Sequence, residues 1–336
     1  MAAALALTGC GGASSSGSGS SNSMSSSMGG SSSGSMAENQ TGAWRTGLGV
    51  VTEADGTDRA GKITTVAAAV LLDTEGKVAD VTLDELELSV SADSTGKVTT
   101  PTDTRTKRQK GDDYPLAAVS SLQMGWAEQA DAFAHYLNGK TPDEVEAVKT
   151  DDDGKPTDAD LLSGCTIAVE RYRDAVVKAC KNAQALGAAR GDSVKLGVQV
   201  ADFADELTAT DDKDANAQAD ITLAVVTVDE NDRVTSAIGD MLQPALTVSA
   251  DGTVSGPRDP VYTKNEMGDT YGMRTASALG KEWYEHSAGY CGYLKGKNAV
   301  EIAKIPDDGS DVDLKTLCTI STTDLQKATL KAMAEQ

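Results

Sequence analysis

TTVAAAVLLDTEGKVADV, Thr64 to Val81, and ADITLAVVTVDENDRVTS, Ala219 to Ser236, are two versions of one unit. In the first, the Val/Ala/Leu run from Thr64 to Leu72 reads as a buried strand, and DTEGK reads as a turn. From Val78 to Leu86 the chain then partly alternates. Ala79, Val81 and Leu83 face one way; Asp80, Thr82 and Asp84 face the other. An apolar run, a polar turn and an alternating run together predict a β-hairpin. In the second version DENDR is the turn, between Val228 and Val234.

Working outward, the resemblance between the two halves persists in order along the chain. Gly47-Leu48-Gly49-Val50 precedes the first hairpin and Lys195-Leu196-Gly197-Val198 the second. Lys107 leads to Gly111-Asp112-Asp113-Tyr114, as Lys264 leads to Gly268-Asp269-Thr270-Tyr271. Trp126 matches Trp283, Tyr136-Leu137 matches Tyr293-Leu294, and Gly139-Lys140 matches Gly296-Lys297. Finally DADLLSGCTI (Asp158 to Ile167) matches DVDLKTLCTI (Asp311 to Ile320). Collinear matches of this kind are the mark of an internal duplication. The first repeat is placed at 41–190 and the second at 191–336.

Each repeat needs helices, because one hairpin cannot bury enough apolar surface to stand alone. Leu116, Val119, Leu122, Trp126, Phe133 and Leu137 recur near helical spacing, which predicts a long helix from Pro115 to Asn138 with Gly139 just past its end. Thr141-Pro142-Asp143-Glu144 is a capping box opening a short helix. Val169, Tyr172, Val176, Ala179 and Ala183 form the apolar stripe of a last helix, expected from Thr166 to Leu186. The expected fold class is therefore α+β, with a small antiparallel sheet covered by helices in each of two tandem copies.

Ahead of the repeats the chain changes character. Residues 1–10, MAAALALTGC, read as a signal-peptide remnant in which Leu7-Thr8-Gly9-Cys10 resembles the bacterial lipobox, with Cys10 the lipidated residue. The stretch lacks a positively charged region, so its start reads as truncated or misassigned. Residues 11–40 are dominated by Ser and Gly and are expected to form a flexible tether. A coil over 11–35 reaches roughly 25–30 Å on average. The expectation is a lipoprotein held on the outer face of the bacterial cytoplasmic membrane, its membrane contact made through the lipid. A net charge of −21 excludes a nucleic-acid role, which needs Lys/Arg patches. With 39% apolar residues but only two Phe, the cores must be built mainly from Val, Leu, Ile and Ala.

Asp160-Leu161-Leu162-Ser163-Gly164-Cys165-Thr166 resembles the signature of the bacterial FMN-binding domain, found in exported electron-transfer proteins and flavin-carrying lipoproteins. That pattern runs Asp, two variable residues, Ser or Thr, Gly, Ala, then Thr or Ser, followed by a helix. In such families a flavin transferase attaches FMN through its phosphate to the final hydroxyl. The resemblance implies Thr166 as the attachment residue, with Asp160, Ser163 and Gly164 forming the turn beside it. Cys165 stands where the pattern has Ala. In the second repeat Thr319 is the counterpart, but Leu317 replaces the Gly. A Gly-containing turn feeding a helix N-terminus also offers free N–H groups to a phosphate, while Asp158 and Asp160 oppose it by charge. The alternative reading is that Ser163 or Thr166 merely caps the helix.

Lys107 and Tyr114, with Lys264 and Tyr271, are further ligand candidates, since Lys meets phosphate or carboxylate and Tyr stacks on flat rings. Their structural alternative is a polar loop in which Gly makes the turn and Asp caps the next helix. Trp126 and Trp283 fall on apolar stripes and are expected in the core. His135 and His286 are expected on helix surfaces, and no metal site is read. The Asp151-Asp152-Asp153-Gly154 run fails the EF-hand spacing. Cys165, Cys180, Cys291 and Cys318 are expected as buried free thiols. Two classes of function remain open: a flavin-carrying electron-transfer lipoprotein with redox partners, and a non-redox surface lipoprotein that binds a ligand or partner. No catalytic constellation is marked.

Overall fold

The hairpin anticipated at Thr64–Val81 lies at the centre of an antiparallel sheet ordered β1 (Arg45–Thr57), β2 (Ala60–Leu72), β3 (Val78–Ala92) and β4 (Val98–Thr99). The computed structural model describes residues 42–203 and 208–334; Cys10, the lipobox and the Ser/Gly stretch of 11–40 lie outside them. The second sheet is built alike, from β5 (Ser193–Phe203), β6 (Ala215–Val228), β7 (Val234–Leu242), β8 (Ala245–Val248) and β9 (Val254–Ser255). Pro244, at the join of β7 and β8, has no N–H for a ladder, and there the strand matching the unbroken β3 is interrupted. The protein is α+β, with two antiparallel sheets in tandem.

Both turns form as the sequence dictates. Asp73 Oδ1 accepts from the N–H groups of Glu75 and Lys77, and Asp229 Oδ1 from those of Asn231 and Arg233. Gly76 and Asp232 supply the positive φ, +82° and +55°. Each hairpin carries a register shift at a matching place, Leu71/Leu72 and Thr227/Val228.

The continuous apolar run of β2 is explained by what covers it. Val66, Ala68, Val70 and Leu72 pack on the helices of the first repeat, while Ala67, Ala69 and Leu71 face the other sheet. The inner faces of the two sheets form one shared core, with Leu48, Ile63 and Leu88 from one and Leu196, Leu223 and Leu246 from the other. The layers therefore run helices, sheet, sheet, helices. Polar contacts pin the two repeats together: Thr46 Oγ1 to Ser236 Oγ at 2.6 Å, and Asp80 Oδ2 accepting from Val194 N at 2.9 Å.

The outer layer of the first repeat holds α1 (Lys107–Lys110), α2 (Trp126–Leu137), α3 (Pro142–Glu146), α4 (Ala159–Leu162) and α5 (Glu170–Asn182). That of the second holds α6 (Lys264–Met267), α7 (Trp283–Leu294), α8 (Ala299–Ile302), α9 (Val312–Leu317) and α10 (Thr323–Ala334). Among the described residues no helix is long and apolar enough to cross a membrane. The glycines shared by β1 and β5 have a packing cause: a Cβ on Gly49 would lie 2.0 Å from Ala175 O, and one on Gly197 2.0 Å from Ala328 O.

Two expected helices are shorter than the spacing predicts. The segment 115–125 is a series of turns, and α2 begins only at Trp126. Ser120 Oγ accepts from Leu122 N, Gln123 takes φ +55°, and Val119 is 80% exposed, so its apolar side chains imitate a helical stripe without packing as one. The last helix starts at Glu170 rather than Thr166; ahead of it the Thr166 N–H donates to Gln129 and the Val169 N–H to Gly154 O. It ends at Asn182, where Gln184 pairs in both directions with Thr46. Thr106 caps α1, and the N-cap of α2 is Gly125, whose N–H donates to Glu128, not the Asp expected from the polar loop. All four cysteines in the repeats are buried and free.

Candidate functional site

Between the outer face of the first sheet and its helices lies a cleft of about 650 Å³. It falls within the usual range for small-molecule sites, roughly 300–1,000 Å³. Its floor is Val66, Glu85 and Glu87; its walls are Lys107, Tyr114, Leu116, Trp126 and Tyr172; Thr166 and the Asp153–Lys155 turn close one side, with Arg171 at the rim. Three of the residues singled out in the first repeat, Thr166, Lys107 and Tyr114, are thus brought together from segments far apart in the chain.

At the base is a buried charge network. Lys107 Nζ lies 3.0 Å from Glu85 Oε1 and 3.5 Å from Glu87 Oε1, and 4.9 Å from the centroid of the Tyr114 ring. Burial by itself would lower the Lys107 pKa, but the two glutamates outweigh it and the pKa is raised. Burial likewise opposes ionisation of Glu87, yet Lys62 at 2.6 Å and Lys107 bring it below the ordinary carboxylate range. The Tyr172 hydroxyl donates to Glu85 and accepts from Trp126 Nε1 at 3.0 Å. Burial, then Glu85, drives the Tyr172 phenol well above its usual pKa. The Trp126 and Tyr172 rings meet edge to face, centroids 5.9 Å apart. Trp126 is therefore core on one side and cleft wall on the other.

Thr166 is half-buried. Its N–H and its hydroxyl both donate to Gln129 Oε1, at 2.9 and 3.1 Å, while Gln129 Nε2 donates to Ser120 Oγ and Met124 O. Gln129, fully buried on α2, is a positioning residue that the sequence reading missed. A signal for it existed: the same position of the second repeat is His286, and Ser120 is matched by Ser277. His286 Nδ1 accepts from Thr319 N at 3.2 Å, so Nε2 carries the proton and donates to Ser277 Oγ at 2.7 Å. His286 thus does what Gln129 does. It is fully buried, not on the helix surface as its sequence position suggested. Burial, then Lys281, depresses its pKa. His135 is exposed, as expected.

The other signature residues do not face the cleft. Asp160 lies in α4 and is exposed; Ser163 ends that helix, its hydroxyl donating back to Asp160 O at 2.7 Å. A Cβ on Gly164 would lie 2.9 Å from Ala132 Cβ, so the glycine permits close packing on α2. The signature turn therefore follows a short helix and positions Thr166, instead of opening α5 onto a phosphate.

The second repeat has diverged at the base of its cleft. Asp84 and Asp240 occupy matching places, each accepting from the next backbone N–H. Beyond them, Met241 stands for Glu85, Gln243 for Glu87 and Leu325 for Tyr172. Lys264 and Tyr271 line a hollow of about 280 Å³, and Thr319 lines a separate one of about 100 Å³. Among the described residues no cluster of His, Cys, Asp and Glu could hold a metal ion.

The chain matches no protein-family model and no solved structure. It is similar to a chlorophenol reductase of Desulfitobacterium hafniense, 48% identical over 40 residues, which are 12% of this chain and 12% of that protein. The match spans far less than two thirds of either chain and shows no family.

Proposed function

We propose that the first repeat is the flavin-carrying module of a surface lipoprotein that passes electrons outside the cytoplasmic membrane, with FMN held through its phosphate on Thr166. One observation carries the reading: the Thr166 hydroxyl stands in the wall of an aromatic-lined cleft, held by Gln129, with Lys155 and Arg171 lining the same cleft. Those two cations, paired at the exposed rim with Asp153 at 3.5 Å and Glu53 at 2.9 Å, can turn to a phosphate beside Thr166. Tyr114, Trp126 and Leu116 offer flat and apolar surface to a ring system. The buried glutamates do not oppose an anion there, since Lys107 and Lys62 already neutralise them. FMN supplies one- and two-electron transfer, which no side chain of this cleft provides. The protein's part is to bind, orient and shield. The second repeat, with Met241 and Leu325 at the matching base, lacks this charged base and contributes half of the shared core.

The test is direct. Protein purified from its native host is run on a denaturing gel under ultraviolet light, beside Thr166→Ala and Thr319→Ala variants. The reading expects a fluorescent band lost only in Thr166→Ala. A dark wild-type band sinks covalent flavin and leaves the non-redox reading, in which the cleft takes a ligand reversibly.

A further inference from the structure

Lys264 repeats the position of Lys107 but has lost its counter-ions. It is 8% exposed, and among the described residues no carboxylate lies within ion-pair distance of its ammonium. Its neighbours are two ring faces, Tyr271 at 4.9 Å and Trp283 at 5.4 Å from their centroids. Such faces attract a cation without satisfying its hydrogen-bond donors. A largely buried ammonium without a counter-ion is costly. Where it opens on a cavity, an incoming anion relieves that cost. Lys264 lines the hollow of about 280 Å³, with Leu242, Val261, Met267 and Tyr262 among its walls and Asp259 on the same lining.

We propose that this hollow is a binding site for a small organic monocarboxylate, with Lys264 as its anchor. The first repeat supplies the template, since Lys107 there is met by Glu85 and Glu87 carboxylates at 3.0 and 3.5 Å. Met241 and Gln243 have removed both from the second repeat, so an external carboxylate takes the place the protein vacated. One cation, with the exposed Asp259 on the same lining to repel further anionic charge, admits no more than one negative charge, and the apolar walls call for a ligand with an apolar or aromatic body rather than a free inorganic ion. The site is independent of flavin on Thr166.

The test uses the whole folded chain with benzoate as probe, inorganic phosphate as a second anion, and titration calorimetry supported by thermal shift. Benzoate binds wild type and raises its melting temperature, and phosphate does not. Lys264→Met weakens benzoate at least about tenfold, as loss of a desolvated charge pair requires. Met241→Glu puts a carboxylate at the place from which Glu85 meets Lys107 in the first repeat, and also abolishes benzoate binding. Because that variant adds a partner rather than removing one, it decides the matter if Lys264→Met does not fold. No benzoate binding to wild type, or binding unchanged in Met241→Glu, overturns the proposal. Phosphate binding as tightly as benzoate overturns the carboxylate assignment.

Discussion

Removing the ammonium of Lys107 tests the charge network beneath the cleft. In Lys107→Met, Glu85 keeps the Tyr172 hydroxyl as a donor but loses the cation at 3.0 Å. Both side chains are more than nine-tenths buried, so solvent cannot make good the loss. Breaking a buried pair from one side costs about 3–5 kcal/mol. Glu87 adds little to that figure, because it is more exposed and retains Lys62 at 2.6 Å. The expected loss is therefore about 3–5 kcal/mol, read at pH 7 as a fall in urea midpoint at unchanged slope. The stranded charge is the cause, so Lys107→Met/Glu85→Gln recovers most of the loss. The second repeat sets a precedent for dispensing with the glutamates, with Met241 and Gln243 in their places. A cost below about 1 kcal/mol, or no recovery in the double variant, refutes the network as described.

Three further outcomes are expected. His286→Gln copies Gln129 and keeps both hydrogen bonds; the wild-type histidine must be neutral, and its depressed pKa means that stability is lost as pH falls below about 6.5. The difference between variant and wild type in melting temperature should thus grow toward acid, and a difference flat from pH 5 to 8 contradicts a histidine held neutral in the fold. Asp240 is pushed up to about 7, first by burial, so it favours the fold at low pH and costs stability as pH rises from about 4 to 7; Asp240→Asn should gain over wild type across that window, with an upper bound of about 4 kcal/mol at pH 7, and no gain by urea titration would refute it. Gly49→Ala drives a Cβ into Ala175 O at 2.0 Å and should cost about 3 kcal/mol or more. Gly292→Ala on α7, with nothing within 4 Å, should instead stabilise by about 0.5–1 kcal/mol, and equal effects would contradict the packing.

The hairpins were legible because turn chemistry and burial pattern agree locally, at Asp73 and Gly76 as at Asp229 and Asp232. The unbroken apolar run of β2 also held the sheet-on-sheet packing, since a strand with no polar alternation must be covered on both faces. What covers the second face is set by tertiary contact, and the sequence has no local sign of it. The β1 strand was hidden by its glycines, which weaken strand propensity and whose cause, the approach of α5, is non-local. Leu116, Val119 and Leu122 carry helical spacing over 115–125, while hydrogen bonds from Leu122 N to Ser120 Oγ and from Gly125 N to Glu128 bend the chain elsewhere. At the site, Thr166 was reached through a short signature and Lys107 and Tyr114 through repetition. Gln129 and Tyr172 were not reached, because each looks like an ordinary helix residue until the cleft forms.

The central claim, that Thr166 carries flavin and Thr319 does not, is tested most directly by peptide mapping of protein purified from its native host. Proteolysis separates the peptide containing Thr166 from the one containing Thr319, and tandem mass spectrometry reads both. The account predicts an FMN-sized mass increment localised to Thr166, with the Thr319 peptide unmodified. An unmodified Thr166 peptide, or an increment on Thr319 instead, contradicts it.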